Sequence, residues 1–268
     1  MDNLVNIENM KFAYDNNVVF ENFKLSLKKG KWYTLCGPNG SGKTTLIKIL
    51  LGILKPKGII KFDSKLLVES STFEIRKDIG VVFSNVNNQF VQETVYDEVA
   101  FKMVNMGFDK KVIDERVSQI LKYFDMSKIV DENPHKINNS KKQLVAFASA
   151  IVSEPKLIVI DEALTKCDDQ DKEKVISLLN ELVKEGATVI NVTNNMEDSI
   201  YSDEIIILEK GSIYLMGPLK EVFEDEIKLN RLGIELPFIV LLSHRMKFYE
   251  LIDDVILDMK SMVDELWQ

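Results

Sequence analysis

The stretch Trp32-Tyr33-Thr34-Leu35-Cys36-Gly37-Pro38-Asn39-Gly40-Ser41-Gly42-Lys43-Thr44-Thr45 decides the fold. A short apolar strand runs into a glycine-rich loop, and the loop runs into a segment of helical character, Thr44–Leu54. Gly37 to Thr44 matches the phosphate-loop pattern of strand, glycine-rich loop, Lys-Thr and helix. The residue types follow from the chemistry. Glycines let successive main-chain N–H groups curl toward phosphate oxygens, and the following helix adds its N-terminal dipole. Lys43 is placed to reach the β- and γ-phosphates, and the Thr44 hydroxyl to ligate Mg²⁺. A glycine-rich turn before a helix is the plain alternative. The four fixed positions arise by chance in roughly 1% of chains of this length, from ordinary glycine and lysine usage. The pattern therefore makes Gly37, Pro38, Asn39, Gly40, Ser41, Gly42, Lys43, Thr44 and Thr45 a nucleotide-binding loop for ATP or GTP.

About 120 residues downstream lies Leu157-Ile158-Val159-Ile160-Asp161-Glu162, a bare apolar run of the kind that forms a buried parallel strand, ending in two carboxylates. Asp161, at the strand exit, suits a Mg²⁺ ion held through its water shell. Glu162 suits a group that orients or deprotonates an attacking water. An Asp-Glu pair often serves only as a helix N-cap; paired with the phosphate loop, the catalytic reading is preferred.

The rest of the chain fits an α/β fold. With 268 residues and 46% hydrophobic content it can build one large domain, or a domain with an appendage. A net charge of -8 argues against a nucleic-acid-binding surface. Apolar runs such as Ile205–Leu208 and Phe238–Leu242 are too short to span a bilayer. No basic stretch followed by an apolar one opens the chain, so no signal peptide is expected. Cys36 and Cys167 have no metal or redox spacing and read as reduced packing residues of a bacterial-type cytosol.

Residues 4–36 read as strands with a turn at Asp15-Asn16-Asn17, and Ile79–Phe83 as a further strand. Between about Val95 and Ala150 the apolar spacing becomes helical, with two helices flanking Asn133-Pro134-His135. Val175–Lys184 reads as a helix, Thr188–Val192 as a buried strand, and 205–208 with 213–215 as a hairpin. Beyond Pro218 the chain reads as charged and helical.

The phosphate loop, the Asp-Glu strand and the helical insertion between them resemble the ABC ATPase family over about residues 3–220. The stretch Gly80 to Val91 with Thr94 to Phe101 resembles more specifically the ATPases of energy-coupling-factor (ECF) transporters, as does Leu232-Gly233-Ile234-Glu235-Leu236-Pro237-Phe238. The resemblance implies a phosphate-loop core of mostly parallel sheet, an antiparallel β subdomain, a helical subdomain at about 95–155 and a C-terminal helical extension at 221–268. It places Tyr14 on the adenine, with a core strand aromatic as the equal alternative. It implies ATP sandwiched with Mg²⁺ between one chain's phosphate loop and another chain's signature loop.

Four stretches depart from that family's pattern. Ile137-Asn138-Asn139-Ser140-Lys141 replaces Leu-Ser-Gly-Gly-Gln, so Asn138 and Asn139 bring bulk where backbone must approach a phosphate. Lys141 and Lys142 read as a solvated lysine face. Ser84 stands for a glutamine, Asn194 for the switch histidine, and Ala163 to Asp168 for Pro-Thr-Ser-Ala/Gly-Leu-Asp. Asn194 can donate a hydrogen bond but cannot take up a proton near neutral pH. The resemblance with these departures implies the specialised half of an asymmetric ATPase, slow alone, in a heterodimer rather than a homodimer. Its further partners would be a transmembrane coupling subunit and a substrate-binding membrane subunit, at the cytoplasmic face of the membrane, with docking near Asn85–Glu98. The cargo class would be a vitamin or a metal ion. A nucleotide-gated regulatory subunit with little hydrolysis is the alternative, and a soluble ABC ATPase acting on DNA or ribosomes a third reading.

Overall fold

The computed structural model describes residues 2–267. The chain begins with β1 (Asn3–Tyr14) and β2 (Asn17–Lys28), joined by a tight turn in which Asp15 takes a positive φ of 49°. The core strand β3 (Trp32–Cys36) follows, then α1 (Lys43–Leu50), β4 (Lys57–Phe62), β5 (Lys65–Leu66) and α2 (Glu69–Lys77). After β6 (Ile79–Phe83) come α3 (Val95–Asn105), α4 (Lys110–Tyr123) and α5 (Asn139–Ile151). The chain then runs through β7 (Leu157–Asp161), α6 (Asp169–Lys184), β8 (Thr188–Val192), β9 (Glu204–Glu209) and β10 (Ser212–Pro218). It closes with α7 (Leu219–Phe223), α8 (Glu226–Arg231), α9 (Phe238–Phe248) and α10 (Met259–Leu266).

Two sheets result. β2-β1-β4-β5 is antiparallel, and β10-β9-β3-β8-β7-β6 is parallel except at β10. All five residues of β3 and of β8 are buried, as expected for strands covered on both faces. One face of the large sheet, with Tyr33, Leu35, Val159 and Ile190, packs on α1 and the antiparallel sheet through Leu46, Ile49, Ile7 and Phe23. The other face is shared. Ile158, Ile160 and Val82 pack on the helical insertion and α6, while Cys36, Ile205 and Ile207 pack on the C-terminal helices through Phe223, Leu236 and Val240. Asp63, beside the turn from β4 to β5, pairs with Lys29 and Lys156, and Lys156 also reaches Asp78. Those lysines hold the Asp63 carboxyl down to about 2, so this clamp between the sheets keeps its charge throughout the ordinary pH range.

Several elements differ from the expectations. α1 ends at Leu50, four residues early, because Gly52 with φ 64° sits just past its end and releases the chain. The insertion holds three helices rather than two, since Gly107 at φ 77° separates α3 from α4. α6 starts at Asp169, capped by Asp168, well before the apolar residues that marked it in the sequence. The segment beyond Pro218 is four short helices, and its inner face is apolar rather than charged.

Two unusual contacts lie where the insertion meets the sheet. Gly80 lets α5 lie directly on β6: a Cβ there would fall 2.2 Å from the Ala150 carbonyl oxygen. Lys102 on α3 carries its ammonium into the interface and donates to the Ile79 carbonyl at 2.8 Å. Burial lowers this lysine from 10.5 to about 8, with Asp78 opposing the shift. The folded chain thus disfavours the charged amine relative to the unfolded one. That penalty is full below pH 8, fades as pH rises toward 10.5, and is gone above it, so stability from this group rises with pH. Lys102→Met should therefore stabilise the chain at pH 7.5 by about 1–3 kcal/mol. Thermal unfolding should show a Tm gain of about 2–6 °C at pH 7.5 that disappears by pH 10.5.

Candidate active site

The carboxyl ends of β3, β6, β7 and β8 open on one cleft of about 490 Å³. It gathers Tyr14, Asn39 to Thr45, Ser84, Asp161, Glu162 and Asn194. Ligand crevices form at this edge of a parallel sheet because loops leaving neighbouring strands converge there. The order β3-β8-β7 puts the strand that feeds the phosphate loop one strand away from the strand that ends in Asp161. Residues separated by about 120 positions in sequence are thereby brought to face each other.

The loop is shaped by its glycines. Gly37 has φ 140° and lies against β9 so closely that a Cβ would fall 2.1 Å from the Leu208 carbonyl oxygen. Gly42, at φ 109°, begins α1 in a left-handed conformation open to glycine and strained for other residues. The Lys43 ammonium bonds back to the carbonyls of Gly37 at 2.6 Å and Pro38 at 3.2 Å, closing the loop on itself. Burial lowers the Lys43 pKa, and nearby Cys36, Glu162 and Asp161 oppose that shift. The Ser41 hydroxyl is buried in the loop without a protein partner. Gly37 and Pro38 do not line the main cleft. They line a smaller cavity of about 210 Å³ behind it, shared with Leu232, Gly233 and Ile234 of the C-terminal segment.

The opposing wall is acidic. Asp161 is half-buried, and its pKa is raised by burial and then by the neighbouring Glu162 charge. Glu162 is exposed in the cleft with a positive φ of 54°, an uncommon conformation fixed by its N–H to Val192 O at 2.9 Å and by Thr165 Oγ1 to its carbonyl at 2.9 Å. Asn194, directly after β8, donates through Nδ2 to Glu162 Oε1 at 3.4 Å. The Asn-for-His replacement thus touches the carboxylate that the sequence marks as the base. Ser84 lines the cleft, and its carbonyl accepts from buried Gln143 on α5 at 3.2 Å. Tyr14 is 42% exposed and stands edge-on to Phe12, which removes the reading of a core strand aromatic.

Asn138, Asn139, Ser140 and Lys141 stand apart from this cleft, at the start of α5. Asn138 Oδ1 caps the helix by accepting from Lys141 N at 2.8 Å. Lys141 and Lys142 are not a solvated face, as the sequence led us to expect. Both are half-buried: Lys141 Nζ lies 3.8 Å from Asp171, and Lys142 Nζ donates to Asn87 at 3.0 Å. Burial pushes Cys36 and Cys167 each up to about 12, so both remain protonated and inert.

Sequence reasoning missed other contributors. Asn17 and Val19 of β2 line the cleft, and only their nearness to Tyr14 across the turn hinted at it. Gln89 clamps the edge strand β6, accepting from Phe83 N at 3.0 Å and donating to Val81 O at 3.1 Å. That satisfies edge groups which would otherwise be open to pairing.

A glycine-curled loop with a buried lysine, facing paired carboxylates across a parallel-sheet edge, defines a phosphate-loop nucleotide-binding ATPase. Residues 20–165 match the ABC transporter family, and the chain belongs to that family. It is 35% identical to the energy-coupling factor transporter ATP-binding protein EcfA1 of Bacillus subtilis, over 98% of this chain and 96% of that one. It is also 35% identical to EcfA of Pediococcus pentosaceus, over 89% and 87%. Among solved structures it resembles cbiO1 from Clostridium perfringens, part of the ABC transporter complex cbiONQ (TM-score 0.76, 30% identity, 92% of this chain and 100% of that one). It also resembles the ATP-binding cassette MJ0796, solved as a dimer bound to ADP and phosphate (TM-score 0.72, 25% identity, 80% and 98%).

Lys43→Ala should weaken ATP binding about 100-fold, the equivalent of roughly two charge-assisted hydrogen bonds. Calorimetric titration measures this, and the nucleotide-free melting temperature should stay within about 2 °C of wild type because the ammonium bonds only to its own loop.

Proposed function

We propose that this chain is the ATP-hydrolysing subunit of an ECF-type importer and the specialised half of an asymmetric pair of ATPases. It would power uptake of a vitamin or metal ion through a transmembrane coupling subunit and a substrate-binding membrane subunit at the cytoplasmic face of the membrane. One observation carries the reading. Lys43, Thr44, Asp161 and Glu162 share a single cleft, while residues 138–141 lie outside it on the first turn of α5. The first set is half of a site, and the second set is fit to serve another chain's nucleotide. Among the described residues no helix is long and apolar enough to cross a membrane.

In this reading the loop amides and Lys43 bind the triphosphate, and Tyr14 stacks on the adenine. The residues also fit Mg²⁺. Burial and then the neighbouring Glu162 charge raise the Asp161 pKa, against Lys43 and Lys48, and a cation beside the two carboxylates would relieve their repulsion. Thr44 and Asp161 line the same cleft and would hold the ion together with substrate oxygens. Bound Mg²⁺ would neutralise charge developing on the phosphoryl oxygens. Glu162 orients the attacking water and accepts its proton, while Asn194 steadies the carboxylate by a neutral hydrogen bond. Positioning groups lost at Ser84 and Asn194 lower the rate more than the affinity.

The transmembrane partner would seat in a groove of about 450 Å³ beside α3, where Gln92, Tyr96, Phe101 and Val104 form part of the wall. Phe101 and Val104 are 41% and 57% exposed, apolar surface of the kind a partner helix covers. Buried Glu98 holds the rim by accepting from Val91 N at 2.8 Å and Gln92 N at 2.9 Å. A regulatory subunit with little hydrolysis is the competing reading, favoured by the neutral Asn194.

Glu162→Gln in the complex purified with its native membrane partners decides between them. An active subunit predicts about a 100-fold fall in hydrolysis with ATP binding kept, the scale set by losing a base. Hydrolysis unchanged by this substitution would assign turnover to another chain. Phe101→Glu should abolish co-purification with the membrane partners while leaving ATP affinity of the isolated chain within about twofold, since it lies outside the cleft.

A further inference from the structure

Two helix starts outside the lining of the chain's own nucleotide cleft are tied together by one carboxylate. Asp168, the cap of α6, accepts from Asp171 N at 2.9 Å. The Asp171 side chain turns the other way and accepts from Ser140 Oγ on α5 at 2.5 Å, with Lys141 Nζ at 3.8 Å from its second oxygen. Asp171 is 6% exposed, so its oxygens rely on these partners rather than on water. Neither helix start can shift without stripping a buried carboxylate of its donor.

The consequence falls on what residues 138–141 can offer outward. The Ser140 hydroxyl is given to Asp171, the Lys141 ammonium donates to the Phe124 carbonyl at 3.4 Å and lies 3.8 Å from Asp171, and Asn138 Oδ1 is used as the cap. Asn139 remains exposed at the tip. The loop's outward chemistry is reduced to main-chain N–H groups, the Asn138 Nδ2 donors and the Asn139 amide, held in fixed register with Asp168.

We propose that Asp171 is a positioning residue for the composite ATP site that this chain forms with a second ATPase. It locks the Asn138–Lys141 turn to the Asp168 turn, so that the two meet the other chain's nucleotide as one rigid piece. This rests on the paired-ATPase reading above.

The test uses Asp171→Ala, Asp171→Asn, Ser140→Ala and the double variant Ser140→Ala/Asp171→Ala in the complex purified with its native membrane partners. Turnover and KM for ATP are measured there, and calorimetric Mg·ATP binding and melting temperature on the isolated chain. Asp171→Ala and Ser140→Ala should each lower kcat about fivefold or more with KM within about twofold, and the double variant should be no slower than Asp171→Ala. Asp171→Asn should keep at least about half of wild-type turnover, because its amide oxygen still accepts the Ser140 hydroxyl. ATP affinity of the isolated chain should be unchanged, since its own cleft lacks these residues. Wild-type turnover in Asp171→Ala, multiplicative losses in the double variant, or a matching loss of affinity in the isolated chain would overturn the proposal. Should Asp171→Ala not fold, Ser140→Ala and Asp171→Asn decide it: the first must slow turnover and the second must spare it. Native mass spectrometry of the wild-type complex checks the pairing separately. A complex with a single ATPase chain removes the pairing itself, whereas a paired complex indifferent to these substitutions removes only the role of Asp171.

Discussion

The site depends on bringing a lysine and two carboxylates to opposite walls of one cleft without letting them collapse together. The sheet order achieves this. β8 stands between β3 and β7, so Lys43 and Asp161 leave strands that are not adjacent. Lys43 instead closes on the carbonyls of its own loop. Burial lifts the Asp161 pKa, and the neighbouring Glu162 charge lifts it further. Opposed charges held apart by rigid strands leave a cleft between them that suits a triphosphate. The glycine at 37 is part of the same constraint, because no side chain fits between the loop and β9.

Electrostatics then explain why the neutral replacements matter. A histidine after β8 could carry a positive charge near a γ-phosphate; Asn194 cannot. Its amide instead offers a weak dipole, aimed in this structure at Glu162. The carboxylate gains a neutral donor, and the position after β8 carries no titratable ring. Ser84 has a similar outcome. Its side chain is short, and its segment is held by Gln143 from α5 and by Gln89 along β6, so the strand end stays in place without a long polar side chain of its own.

Legibility in the sequence followed how local each constraint is. The phosphate loop, the strand at 157–161 and the strand at 188–192 are set by contiguous residue types, and they stand where the sequence put them. Apolar periodicity located α6 by its buried residues Val175, Ile176 and Leu179, yet its start is set by the Asp168 cap, whose effect is polar and local to one turn. The break between α3 and α4 turns on one glycine in a left-handed conformation, which periodicity alone does not detect. Tyr14 could not be placed from sequence, since an aromatic on a strand serves a core or a cleft equally; only the packing of the antiparallel sheet decides it. The lysines at 141 and 142 were misread because their partners, Asp171 and Asn87, are distant in sequence.

The C-terminal segment carries the same logic further. Cys36, the residue that delivers the phosphate loop, is packed in the cluster that also holds Leu229, Ile234 and Leu236. Glu197, three residues past Asn194, accepts from Phe238 N at 2.7 Å and so seats the start of α9 on the turn that follows β8. The segment is therefore anchored to the backs of two loops whose fronts line the nucleotide cleft. A displacement of either loop must be absorbed by that apolar cluster or transmitted through it, because close-packed interiors deform little and shift as units. Mechanical continuity between the cleft and the C-terminal helices follows from packing alone, with no need for a residue that touches both the nucleotide and a partner.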